Sequence, residues 1–219
     1  MKNVRIWFKK DNECRYISHL DLNRIMLRAL HKSRIPIWFT EGYNIHPYAT
    51  FPLPLSLGFR GEKECMDIRL IEDYDFDKIK TDLNACLPDG IRIYDVTEPV
   101  MKAKEITYAT FTIRITTQDV MPDILYEICN ELLNKDEILV EKKTKKKGIR
   151  EIDIKQYLNK FKLERNIGGV ILYVTLPAGS VTNINPSLIQ KAIERYYGTD
   201  VHFDVTKTDM FDKNLKSFE

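Results

Sequence analysis

The chain has 219 residues, of which 43% are hydrophobic, 30% charged and 11% aromatic, a composition of globular chains rather than disordered or fibrous ones. No apolar run reaches the roughly 18 residues of a membrane span, and MKNVRIWFKKDNE has no signal-peptide core, so a cytoplasmic protein without a membrane partner is expected. The net charge of +2 conceals a division: residues 1–60 carry +6, residues 61–139 carry −9 and residues 140–219 carry +5. Two basic ends around an acidic middle suit a polyanion if the fold joins them, and an ordinary salt-bridged surface if it does not.

Val4, Ile6 and Phe8 alternate with Arg5, Trp7 and Lys9, which predicts an opening strand with one buried face. Ser18 reads as an N-cap with Asp21 three residues on, and Leu22, Ile25, Met26, Ala29 and Leu30 recur at helical spacing until Pro36, predicting a helix over about 18–33. Residues 35–71 mix β-formers with Pro36, Pro47, Pro52 and Pro54 and predict a long irregular hairpin. A second helix capped by Asp75 and a strand over Ile91 to Val96 complete a βαββαβ order.

After a connector near residues 99–105 the order repeats. Phe111, Ile113 and Ile115 alternate, and Ile124, Leu125, Ile128, Cys129, Leu132 and Leu133 form a helical stripe. Ile138 and Val140 start a strand, Val170, Leu172 and Val174 another, Leu188 to Tyr197 a helix, and Phe203 and Val205 a last strand. The predicted class is α+β, two tandem ferredoxin-like sandwiches, with domains at 1–104 and 105–219.

Three stretches carry candidate chemistry. In RYISHLDLNRIMLRALHKSRIP, Asp21, Arg24, Arg28, His31 and Lys32 fall near one helix face, while Ser18 and His19 sit at its start. Such a row suits successive phosphates, and equally a solvated face with Asp21 paired to Arg24. His19 in the first turn can bind an anion, act as a general acid or base, or simply pack. In EGYNIHPYATFPLPLSLGFRGEKE, the prolines and glycines stiffen a backbone carrying Tyr43, Asn44, His46 and Tyr48. Rigid aromatic and polar groups suit a planar ligand, or a connection whose tyrosines cover the core. In VEKKTKKKGIREID, Lys142, Lys143, Lys145, Lys146, Lys147 and Arg150 place six cations within nine positions, a phosphate-binding loop or a solvated hairpin tip.

Other chemistry lacks support. Cys14, Cys65, Cys86 and Cys129 are too far apart in sequence for a CxxC pair or a three-cysteine cluster nest. Asp73, Asp75 and Asp77 imitate a calcium loop, but Lys78 stands where glycine is needed and Asn84 where glutamate is needed. There is no Walker loop, GxGxxG or GxSxG elbow. Neither a metal nor a cofactor is expected.

The strings RYISHLDLNRIMLRAL, EGYNIHPYATFPLPLSLGFRGEKE and KKKGIREIDIKQYL, in that order, resemble the bacterial radical-SAM-linked family of unknown function, which looks like a stand-alone form of a domain attached C-terminally to radical SAM enzymes. The matching positions are Ser18, His19, Asp21, Arg24, Arg28, Gly42, Asn44, His46, Pro47, Pro54, Gly58, Glu64 and Asp153. The resemblance implies association with a radical SAM enzyme, in RNA modification or translation-related chemistry, and transfers no catalytic role.

The leading expectation is an accessory module that binds RNA for such an enzyme and is not catalytic alone. Arg24, Arg28, Lys145, Lys146, Lys147 and Arg150 would hold phosphates, while Ser18, His19, Asp21, Tyr43, Asn44 and His46 would contact the substrate. The rivals are a metal-independent RNA endonuclease resembling CRISPR RNA-processing enzymes, with His19 or His46 as acid or base, and a protein-binding scaffold. The leading expectation assumes that His19, His46 and the lysine cluster meet in one cationic pocket.

Overall fold

A computed structural model describes residues 1–143 and 148–219, without the Lys143 side chain. The protein is α+β and divides into two compact units, Met1–Ile106 with Asp209–Glu219, and Thr107–Thr208. The last eleven residues thus belong with the first unit, where the sequence placed 105–219 together.

In the first unit the strands are β1 (Lys2–Lys10), β2 (Ala49–Thr50), β3 (Arg60–Leu70) and β4 (Ile91–Thr97), and the helices are α1 (His19–Lys32) and α2 (Phe76–Asn84). The strand order is β4-β1-β3, with β2 also on β3; β1 runs antiparallel to β3 and β4, and β2 antiparallel to β3. Val4, Ile6 and Phe8 pack under Leu22, Met26 and Leu30 of α1 and Ile79 and Leu83 of α2, so the helices cover one face as their apolar spacing requires.

The opposite face is also buried, a correction to the one-sided strand expected for β1. Arg5 is 0% and Trp7 5% exposed. Trp7, Cys65, Met101, Ile106, Met210 and Phe218 form a second core there. Arg5 tolerates complete burial because its donors are used: Nε and Nη2 reach the Asp67 carboxylate at 2.7 and 2.8 Å, Nη1 the Glu219 carbonyl at 2.7 Å and Nη2 the Met101 carbonyl at 3.0 Å. Its guanidinium also lies 4.2 Å from the Phe218 ring centroid.

The second unit contains β5 (Tyr108–Thr116), α3 (Pro122–Asn134), β6 (Leu139–Lys143), β7 (Ile149–Asp153), β8 (Phe161–Asn166), β9 (Gly169–Pro177) and α4 (Ser187–Tyr197). Strand β10 (His202–Phe211) gives residues 202–208 to this unit and residues 209–211 to the first. The order within the second unit is β10-β5-β9-β8. The strand predicted at Ile138 and Val140 does not join this sheet: β6 pairs with β7 in a separate two-stranded ribbon. Its expected place is taken by β8, where Phe161 and Leu163 alternate with charged residues and pair with Val174 and Leu172 of β9.

Candidate functional site

The start of α1 is built by three segments. Ser18 caps the helix: its Oγ accepts from the Asp21 amide at 3.1 Å and donates to the Asp21 carboxylate at 2.7 Å, and Asp21 in turn accepts from Arg24 at 3.0 Å. Hydrogen bonds from Ser18 and then Arg24 hold the Asp21 carboxyl below its usual range. From β1, buried Lys10 donates to the Ile17 carbonyl at 2.9 Å and the Arg15 carbonyl at 3.3 Å, tying down the turn that enters the helix. From the proline-rich stretch, the Gly58 amide donates to Arg15 O at 2.9 Å and Phe51 meets the His19 ring edge-on at 5.1 Å.

His19 is half-buried, and its Nδ1 is enclosed without a hydrogen-bond partner. An enclosed nitrogen lacking an acceptor is better tolerated as a lone pair than as N–H, which favours the Nε2–H tautomer. Burial, reinforced by the positive charge of Lys10, pushes the His19 pKa down, so the ring is neutral at pH 7. Burial likewise lowers the Lys10 pKa, opposed by the charge of Glu64, which is buried on the same strand face. Gly61 makes room for that side chain, since a Cβ there would overlap the Glu64 carboxylate. Beside His19, the Arg15 guanidinium stacks 4.7 Å from the exposed Tyr16 ring and donates to its hydroxyl.

The cations of α1 run away from this cluster. Arg24 and Arg28 are exposed, followed by His31 and Lys32 in the last turn. There the ring of His31 meets Phe39 at 6.4 Å. Phe39 pairs with Pro47, and next to them the Thr40 amide donates to the His46 carbonyl at 2.9 Å. Tyr43, Asn44 and His46, all exposed, therefore sit by the C-terminal end of α1.

His19 and His46 do not meet as expected. Twelve residues of helix at 1.5 Å each separate His19 from His31 by about 18 Å, and His46 lies beside the far end. Lys10, Phe51 and the Arg15–Tyr16 stack carry no local pattern that marks them as part of a site. A lysine ending a strand looks solvated, and its burial becomes visible only when the turn of residues 15–17 folds back to place two carbonyls on its ammonium. Lys145, Lys146 and Lys147 lie outside the described residues. Of that run, Lys142 donates to the Asn183 carbonyl at 2.7 Å, and Arg150 on β7 is exposed. Asp153 has a structural task, its Oδ1 accepting from the Ile138 and Lys155 amides at 2.9 and 2.8 Å. Among the described residues no group of three His, Cys, Asp or Glu is placed to hold a metal.

Residues 3–186 match the family described as an uncharacterized protein conserved in bacteria, DUF2344. The chain belongs to this family. No curated protein matches the DUF2344 chain in sequence. Among solved structures it is similar to a chain of the crystal structure of a Cbf5-Nop10-Gar1 complex, with a TM-score of 0.52 and 12% identity over 94% of this chain and 48% of that one. The DUF2344 chain thus spans under half of that protein, and at this identity the likeness is one of fold.

Proposed function

We propose that this DUF2344 chain is a cytoplasmic RNA-binding accessory module, built of tandem ferredoxin-like sandwiches, that serves a radical SAM enzyme. One observation carries the RNA reading: α1 lays exposed Arg24 and Arg28 between two polar–aromatic clusters, Arg15, Tyr16 and His19 at one end and Tyr43 and His46 at the other. About 18 Å of helix is long enough to run alongside several backbone steps of a nucleic-acid strand. The exposed Asp21–Arg24 pair is worth little in water, so Arg24 yields readily to phosphate. The strand orders β4-β1-β3-β2 and β10-β5-β9-β8 support the sandwich reading. The radical SAM link rests on the SHLDL and Asn44–His46–Pro47 resemblance alone.

Fluorescence anisotropy of labelled RNA across a salt series tests the binding. Affinity should fall with salt, and Arg24→Gln with Arg28→Gln should reduce the log–log slope by about 1.4, two single-strand phosphate contacts at about 0.7 each. No affinity at low salt, or affinity indifferent to salt, refutes RNA binding. Pull-down of a radical SAM enzyme with and without nuclease tests the partnership: its absence under both conditions refutes that part.

A further inference from the structure

The hairpin over residues 37–48 is held at its base and its tip by hydrogen bonds rather than by an apolar core of its own. At its base the Trp38 amide donates to the Arg69 carbonyl at 2.8 Å and the Tyr48 amide to the Trp38 carbonyl at 2.9 Å. The Arg69 guanidinium lies 5.0 and 4.9 Å from the Trp38 and Tyr48 rings. At its tip, Thr40 Oγ1 accepts from the His46 amide at 3.2 Å and donates toward the Asn44 and His46 carbonyls, while His46 Nδ1 lies 2.8 Å from the Asn44 carbonyl. A carbonyl can only accept, so Nδ1 carries the proton and Nε2 is the ring's free lone pair. Gly42, at φ +112°, turns the chain where an L side chain would be strained.

This ordered tip holds Tyr43 at full exposure, 113% on the relative scale, with Ile45 at 67% and Phe39 at 40%. A fully exposed aromatic ring on a hydrogen-bonded turn that also carries an imidazole accepting at Nε2, on a hairpin whose Phe39 meets His31 between Arg28 and Lys32 of α1, has the parts of a base reader: a stacking face, a hydrogen-bond acceptor and phosphate neutralisation. A protein partner would call for a wider apolar patch and fewer cations.

We propose that the tip over residues 40–46 reads an unpaired RNA base, with Tyr43 stacking on it and His46 Nε2 accepting from an N–H of the base or a ribose 2′-OH. The proposal rests on the RNA reading above and narrows it to single strands. Bases paired inside a duplex are stacked on both faces and offer none to Tyr43, and a blunt duplex exposes only the outer faces of its two terminal pairs.

The test is anisotropy with a labelled single-stranded 12-mer and a blunt duplex of the same length, on wild type, Tyr43→Ala, Tyr43→Phe and the Arg24→Gln/Arg28→Gln double variant. Single strand should bind more tightly than duplex. Tyr43→Ala should weaken it about 5- to 150-fold, the range for loss of one stacked base, Tyr43→Phe should retain it, and the double arginine variant should weaken both RNAs. Equal affinity for both RNAs, or a Tyr43→Ala variant as tight as wild type, overturns the base reader while leaving RNA binding intact. Wild type that binds neither RNA overturns both, and copurification of a protein that Tyr43→Ala abolishes then assigns the tip to a protein surface. Tyr43 makes no core contact, and unchanged tryptophan emission on urea unfolding serves as the folding control.

Discussion

Arg5→Met should unfold the first unit far more easily than its position on an outer sheet face suggests. The substitution keeps most of the buried hydrocarbon but removes the partner of Asp67, whose side chain is only 22% exposed, and the donors for the Met101 and Glu219 carbonyls. Removing one member of a buried ion pair costs about 3–5 kcal/mol, and the lost stack on Phe218 adds about 0.5–2 kcal/mol, partly offset by the methionine. A net loss of about 3–5 kcal/mol is a large part of a typical domain's 5–15 kcal/mol. Both tryptophans, Trp7 and Trp38, lie in the first unit, so tryptophan emission during urea unfolding reports that unit alone. With m of about 1–3 kcal/mol/M, the midpoint should fall by at least about 1 M. Replacing the pair together, Arg5→Met with Asp67→Leu, should recover much of the loss because no charge is left stranded. A midpoint shift below about 0.3 M for the single variant, or a double variant no more stable than the single, would refute the account of Arg5 as a buried cation held by its four hydrogen bonds.

Three further outcomes concern the start of α1 and the turn at Gly90. Gly90→Ala should destabilise the first unit by more than about 1 kcal/mol, because φ is +91° and an added Cβ would lie 2.6 Å from the Asp11 carbonyl; an unchanged urea midpoint contradicts it. His19 titrates below its ordinary 6.5 in the fold, so the folded state binds fewer protons than the unfolded one. Its contribution is fully present above about pH 6.5 and is lost as pH falls from there through the lowered folded pKa. His19→Gln should therefore flatten the acid side of the urea-midpoint profile, and Lys10→Met should raise the His19 titration seen by NMR; a titration that stays or falls rules out the lysine charge as a cause.

The helices were legible because their signals are local. Ser18 and Asp75 cap α1 and α2 with their side chains as the sequence pattern predicts, and Leu22, Met26, Ala29 and Leu30 are the buried stripe. Strand alternation carried less information. It separates the Val4, Ile6, Phe8 face from the Arg5, Trp7 face, yet it does not say whether anything covers the second. What covers it arrives from residues 101–106 and 210–218, and the Arg5–Asp67 bond that makes the cover tolerable joins residues 62 apart. The second unit shows the same limit: Ile138 and Val140 are more hydrophobic than the alternating β8, but the sheet position went to the strand whose register against β9 places Phe161 opposite Val174 and Leu163 opposite Leu172.

The candidate site divides along the same line. Ser18, His19, Asp21, Arg24 and Arg28 share one helix, so their mutual spacing follows from 1.5 Å and 100° per residue. Whether His46 joins His19 depends on which end of α1 the hairpin meets, and that is set by Phe39 against His31 and by Thr40 closing on His46. A pocket shared by both histidines would require one small ligand to touch each of them. Under the RNA reading proposed above, two clusters about 18 Å apart along α1 instead suit an extended ligand held at both ends, so loss of either cluster should weaken binding and loss of the arginines should weaken it for every sequence.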